Sequence, residues 1–212
     1  MDLRELNLKL TKESLRKETQ RDVLIIQTIK TIDELTKIIN KLIVNLRERY
    51  GYYAPKSSRI EEIEKFLEAV KRKEREDIGI EMTKEDLAST EEIADEVKNL
   101  VELKDAQEKY LEKLTEEICP KLSEAATSLI AARLISCAGS LKHLAEITSS
   151  TIQVLGAEKA LFRHMKTGAK APKFGVIFSH PEISQSQQKG KAARKLAAAI
   201  SKAAKLDFFS KK

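Results

Sequence analysis

Five cations stand within fifteen residues in the last third of the chain: Lys159, Arg163, Lys166, Lys170 and Lys173. On a helix, Lys159, Arg163 and Lys166 fall at i, i+4 and i+7 and share one face, where like charges repel. A face that weakens its own helix in this way points to an anionic partner. Lys189, Lys191, Arg194 and Lys195 form a second basic cluster at a helix start. Cations spread over a surface suit a phosphodiester backbone, because each neutralised phosphate releases condensed counterions. A solvated basic face is the alternative that charge alone leaves open.

Catalysis finds little support in the same residues. His143, His164 and His180 stand in no metal-ligand spacing. There is no Gly-rich loop of the phosphate-cradling kind and no Ser/His/Asp order, and Glu158 and Lys159 are adjacent, so on a helix they point apart. The expectation is a binding protein without catalytic residues, metal or cofactor.

Charge is divided unevenly. Residues 151–212 hold 13 Lys or Arg against 3 Asp or Glu, while the preceding 150 residues hold 26 against 30. This describes a basic head following an acidic body, the electrostatic footprint of a polyanion binder. Few Gly and Pro among many Leu, Ile, Ala, Glu and Lys predict an all-α protein. No apolar run approaches the roughly 18 residues of a membrane-spanning helix, and Met1-Asp-Leu-Arg-Glu lacks a signal peptide's apolar core. A soluble, intracellular chain is expected. Cys119 and Cys137 suggest neither a disulfide framework nor a metal cluster, and Cys137 is expected to pack in a core.

The elements that must position these cations follow from periodicity. A single helix is predicted from about Ser14 to Tyr50, with Ile25, Thr28, Ile32, Leu35, Ile39, Leu42 and Leu46 at coiled-coil spacing. Ile26, Ile29, Ile38 and Ile43 widen the stripe. Ser58-Arg-Ile-Glu61 has capping-box spacing and predicts a helix to about Arg75. Two further start signals, Thr83-Lys-Glu-Asp86 and Ser89-Thr-Glu-Glu92, predict a short helix before a long one over about 90–118. Ile93, Val97, Leu100, Leu111, Leu114 and Ile118 form the seam of this long helix, and Lys104 and Gln107 interrupt it. Together these predict a long antiparallel coiled-coil hairpin over 1–119, its tip at about 51–89, followed by a small, mostly helical domain over 120–212. Its exposed apolar stripe suits a second copy, with Ile25, Ile32, Leu35, Ile39, Leu42, Leu100 and Leu111 as the expected self-association residues.

In the head, Ala125 to Ala138 reads as one buried helix, being apolar nearly all round. Ser140 can cap a short helix over Leu141–Ile147, and Ser149-Ser150-Thr151 can cap the next. Ile152, Leu155, Leu161 and Phe162 are expected to face inward. Val176–Phe178 reads as a strand fragment or extended core segment, and the last helix runs from about Lys189 to Lys205 with an Ala-rich face.

Gly156-Ala-Glu-Lys159, Ala160-Leu-Phe-Arg163 and Gly175-Val-Ile-Phe-Ser-His-Pro181 carry a resemblance. They resemble the signature of the Nop domain, found in core proteins of box C/D ribonucleoproteins and in a relative in the spliceosome. Arg21-Asp-Val-Leu-Ile-Ile-Gln-Thr-Ile-Lys30 and Ala131-Ala-Arg-Leu-Ile-Ser-Cys-Ala-Gly-Ser-Leu141 extend the likeness over most of the chain, in the archaeal style. The resemblance implies a scaffold that grips a kink-turn guide RNA already bound by a small ribosomal-type kink-turn-binding protein, neither of which makes the whole site alone. It also implies pairing through the coiled coil and positioning of the 2′-O-methyltransferase fibrillarin for guided RNA methylation. By this likeness Glu158, Lys159, Arg163 and His164 lie at or near the RNA, and Lys173 is set against it. Lys189, Lys191 and Arg194 match a basic helix start, while Lys166 and Lys170 join the set on charge. Arg163 is the foremost candidate, since its planar guanidinium can fork onto phosphate or stack on a base pair. His164 is a stacking candidate, Glu158 is expected to orient a cation or accept from a base, and Phe162 is expected in the core.

Two departures qualify the resemblance. Family members usually carry an N-terminal fibrillarin-docking domain ahead of the coiled coil, so a shortened form is expected, meeting fibrillarin only through a region it lacks. Gln185-Ser-Gln-Gln-Lys-Gly190 lacks the aromatic and arginine residues often found there. The implied location is the archaeal cytoplasm, or the nucleolus in a eukaryote. A splicing-type Nop protein is one alternative. The other is a coiled-coil adaptor whose basic head binds nucleic acid non-specifically.

Overall fold

The computed structural model describes residues 3–18, 21–73 and 75–210, the side chains of 13–18 excepted. The described residues form helices and 3-10 turns without a strand. They divide into two compact units, Lys30–Glu108 and the remainder, Met1–Ile29 with Lys109–Lys212.

The predicted first helix is two: α1 (Leu3–Glu18) and α2 (Asp22–Gly51), with Thr19 and Gln20 outside the described residues. Along α2 a heptad is buried, with Ile25, Ile32, Ile39 and Leu46 in one row and Ile29, Ile43 and Tyr50 in the other. The expected row of Thr28, Leu35 and Leu42 is buried or half-buried as well. The covered stripe is therefore wider than a strict two-row seam, as the extra isoleucines at Ile29 and Ile43 indicate. Midway between Ile29 and Ile43 stands the half-buried Thr36, whose hydroxyl donates back to the Ile32 carbonyl at 2.8 Å. Ile38 and Val44 remain exposed.

In the Lys30–Glu108 unit, a 3-10 turn at Ser57–Arg59 precedes α3 (Ile63–Arg72). The Ser58 capping box does not form, because the Ser58 hydroxyl donates to the Pro55 carbonyl, and the helix begins later than predicted. Next comes α4 (Lys84–Ile118), one continuous helix with no short helix ahead of it. Thr83 and Asp86 form its capping box reciprocally, Asp86 N–H donating to Thr83 Oγ1 and Thr83 N–H to Asp86 Oδ2, both at 3.1 Å. The second start signal fails because Thr90 Oγ1 donates to the Asp86 carbonyl at 2.7 Å and so sits inside the helix. Phe66, Leu67 and Val70 of α3 join Tyr50, Tyr53, Ala94 and Val97 in the core of this unit.

Glu76 organises the tip. Its carboxylate accepts from Lys56 N–H, Ser57 N–H and Ser57 Oγ. Partial desolvation pushes its pKa up, but the hydrogen bonds and the Lys56 charge outweigh this and hold it below the ordinary 4.5. A depressed carboxyl contributes stability above its unfolded pKa, and that stability is lost as pH falls through the folded value. The Lys56 and Ser57 amide resonances are therefore expected to titrate together with a midpoint below 4.5, and to lose that titration in Glu76→Ala. A midpoint at or above 4.5 would remove the carboxylate from this role.

In the other unit, α5 (Pro120–Ala126) starts with Pro at its first position, as the loss of an N–H permits there. The predicted 125–138 helix breaks at Thr127, whose φ of 67° ends α5 before α6 (Ser128–Ala138) begins. Cys137 is exposed rather than packed, whereas Cys119 is buried. Ser140 caps α7 (Leu141–Glu146) as expected, and Thr148, one residue ahead of the predicted trio, caps α8 (Ser149–Val154). The remaining helices are α9 (Glu158–Thr167), α10 (Pro181–Ser184) and α11 (Lys189–Phe209). Val176–Ser179 is a 3-10 turn, not a strand, with Ile177 fully buried.

Helix α11 is the axis of this unit. Its buried Ala193, Leu196, Ala197, Ile200 and Ala204 give a face small enough for close packing against α5, α7 and α8. Two buried carboxylates fix short helices. Asp207 of α11 accepts from the Lys121 and Leu122 amides at the start of α5, at 3.3 and 2.8 Å. Asp22 of α2 accepts from the Leu141 amide at the start of α7, at 2.8 Å. Anions at these amino ends satisfy orphan N–H groups and complement the helix dipoles.

Candidate nucleic-acid interface

Two glycines decide where α9 begins. Gly156 adopts φ +86°, and a Cβ there would meet Val176 Cγ2 at 2.4 Å. A Cβ on Gly175 would lie 1.9 Å from the Leu155 carbonyl oxygen, so only Gly admits this approach. The approach is fixed by Gly175 N–H donating to Gln153 O (2.9 Å), Val176 N–H to Leu155 O (2.8 Å) and the Gln153 side-chain amide to Lys173 O (2.9 Å). The backbone carrying Lys173 is thereby tied to the segment that launches α9. Glu158 Oε1 accepts from Gly156 N–H at 2.7 Å, which places the acid at the helix amino end.

No side chain of α9 is buried. Lys159, Arg163 and Lys166 line one exposed face. Beside it runs an apolar ridge of Leu161, Phe162 (58% exposed) and Met165 (65% exposed). This corrects the expected inward placement of Leu161 and Phe162. Lys166 Nζ lies 5.2 Å from the Phe162 ring centroid. The helix faces the rest of its unit through its small or half-buried members, Ala160 and His164. His164 Nδ1 is paired with the Ala169 carbonyl and closes the turn after Gly168.

Lys170 is exposed on the loop that follows. At the second cluster Lys189 Nζ sits 5.3 Å from the Phe178 ring centroid, and Phe178 stacks on Phe174 at 5.5 Å and 27°. Lys191 and Arg194 are exposed one turn apart on α11, and Lys195 pairs with Glu182 at 3.8 Å. Among the described residues, no group of three or more His, Cys, Asp or Glu can hold a metal ion, and no helix is long and apolar enough to cross a membrane.

The expected self-association residues are placed differently. Ile25, Ile32, Leu35, Ile39 and Leu111 are buried within the chain, and Leu42 and Leu100 are half-buried. They hold the fold itself together. The exposed apolar residues of the Lys30–Glu108 unit's long helices are Ile38, Val44 and Leu103. Sequence reasoning missed both the open ridge on α9 and the Phe174–Phe178 stack. An amphipathic helix reads the same whether its apolar face meets its own chain or another molecule.

An all-α chain carrying exposed cations on α9 and at the start of α11 has the electrostatic footprint of a polyanion-binding protein. The match is more specific than that: the Nop family model, described as "snoRNA binding domain, fibrillarin", covers residues 23–212, and the chain belongs to this family. An uncharacterized NOP5 family protein of Methanocaldococcus jannaschii is 34% identical over 229 residues, 94% of this chain and 55% of that protein. Nucleolar protein 58 of Schizosaccharomyces pombe is 34% identical over 223 residues, 90% of this chain and 43% of its own length. Human Nucleolar protein 56 is 33% identical over 222 residues, 89% of this chain and 37% of its own. The chain thus spans about half or less of these relatives. Among solved structures, a chain of a fibrillarin/Nop5p complex matches with a TM-score of 0.60 and 27% identity, over 99% of this chain and 70% of that one.

Proposed function

We propose that this chain is a non-catalytic scaffold of a box C/D ribonucleoprotein, gripping a kink-turn guide RNA together with its small kink-turn-binding protein. The observation that carries this reading is α9, which presents a cationic face and an apolar ridge side by side with no side chain buried. Cations alone would suit any polyanion. An exposed ridge of Leu161, Phe162 and Met165 also calls for an apolar surface, which a phosphate backbone does not offer and a protein seated on the RNA does. Family membership and the fibrillarin/Nop5p neighbour support a role in positioning the fibrillarin methyltransferase for guided 2′-O-methylation of RNA. Self-association belongs to the same reading, with the exposed Ile38, Val44 and Leu103 as candidate contacts. The site of action is the archaeal cytoplasm, or the nucleolus of a eukaryote, the latter in keeping with the relatives' names.

A gel shift at physiological salt tests it, offering a box C/D kink-turn RNA with and without the kink-turn-binding protein. The expected result is a shift of the preassembled pair and little or none of the naked RNA. Equal binding to any duplex, indifferent to the partner, would instead establish a basic adaptor head of no RNA preference.

A further inference from the structure

The second basic cluster is built around a ring. Phe178 is 44% exposed although it follows the fully buried Ile177. A 3-10 turn anchored by Ile177, entered through the clamped Gly175, holds it outward. Phe174 stacks against it, and the Lys189 ammonium lies over the ring. A half-exposed phenyl ring costs solvation free energy that a buried one does not. Neither Phe174 nor Lys189 covers it from solvent.

We propose that Phe178, backed by Phe174 and flanked by Lys189, is a seat for an unpaired nucleobase of the bound RNA. The proposal rests on the RNA-binding reading above and names a contact within it. Three features of the seat select this occupant. With the Lys189 ammonium moved aside, the half-exposed ring offers a π surface that any base can stack on without sequence-specific hydrogen bonds. Its backing ring and turn hold it in place before binding, so little rotamer freedom is lost. Lys189 sits on a flexible stem beside it, and its ammonium can move from the ring to the phosphate of the stacked nucleotide. A paired base in an A-form helix does not present its face, so the ligand is a nucleotide extruded from the duplex or lying in a loop.

Equilibrium binding to the kink-turn RNA, with the kink-turn-binding protein present, tests this in a mutant cycle. Each unpaired nucleotide of the RNA is replaced in turn by an abasic residue. Phe178→Ala and Phe178→Leu are expected to weaken binding about 5- to 150-fold, the range for loss of one base–aromatic stack. Phe178→Tyr, which keeps the ring, should bind as the parent does. Phe178→Leu keeps apolar volume for the fold while removing the π face. One abasic RNA should weaken the parent protein by the same factor, and on that RNA Phe178→Leu should cost nothing more. If Phe178→Leu binds normally while Arg163→Ala is weakened, the seat is wrong and the RNA-binding reading stands. If neither variant is weakened, both fall. A loss from Phe178→Leu that is the same on every abasic RNA, or that appears only through the protein partner, also overturns the nucleobase seat.

Discussion

Replacing Ile32 and Leu35 together by Glu is expected to unfold the Lys30–Glu108 unit. Ile32 is 2% and Leu35 8% exposed, and Leu35 belongs to the cluster that also holds Ile39, Ile43, Tyr50, Phe66 and Val97. A carboxylate at either position loses a buried aliphatic side chain and gains a desolvated charge, the class of substitution that exceeds about 4 kcal/mol. Two such changes approach the roughly 5–15 kcal/mol that holds a typical domain together. Far-UV circular dichroism should show lost helicity, and the thermal transition should disappear or fall well below that of the parent. Were these residues an interface between copies, the double variant would stay helical and only sediment as a smaller species. The companion experiment is Ile38→Glu with Val44→Glu, both positions being exposed. That pair should keep its helicity and, on the proposed self-association, sediment as single chains. Retained helicity in the Ile32/Leu35 variant would show that the seam has been placed on the wrong face.

The same residues show how far the sequence could be read. The all-α class and the long hairpin were legible because a coiled-coil stripe repeats over many turns of α2 and α4. One row of the seam, through Ile25, Ile32, Ile39 and Leu46, was read as it is buried. The other, through Thr28, Leu35 and Leu42, is buried or half-buried too, and Ile29 and Ile43 widen the stripe beside it. Local hydroxyl bonds misled the reading at two starts: Ser58 turns to Pro55, and Thr90 turns back on Asp86. Both are side-chain-to-backbone alternatives that competing sequence signals do not rank. The break at Thr127 was invisible, because a non-Gly residue with φ of 67° leaves no compositional mark. The basic set of the candidate site was legible from charge and spacing. What the sequence hid was exposure: Phe162 and Phe178 look like core residues to any hydropathy argument, and only the structure turns them outward.

Exposure also makes the cationic face of α9 separable from the fold, and that gives the last expected result. In the variant Lys159→Gln, Arg163→Gln, Lys166→Gln, RNA affinity should fall while the protein becomes no less stable. None of the three is buried, and none is needed to close a helix end, since Glu158 serves the Gly156 amide and Gly168 ends the helix through its own N–H to the His164 carbonyl. Removing like charges at i, i+4 and i+7 relieves repulsion worth a few tenths of a kcal/mol, so Tm should hold or rise slightly. Binding should move the other way. Arg163→Ala alone is expected to cost about 1–3 kcal/mol, the scale of one good charged contact to nucleic acid. The triple variant should also flatten the plot of log K against log salt by roughly 2–3 units, at about 0.7–0.9 for each phosphate that is no longer neutralised. Titrations across a salt series, paired with thermal melts of the same samples, give both quantities. A lower Tm accompanying the weaker affinity would mean that the cations act through the fold. An unchanged salt slope would mean that they face no phosphate, and the interface would then have to be sought on α11.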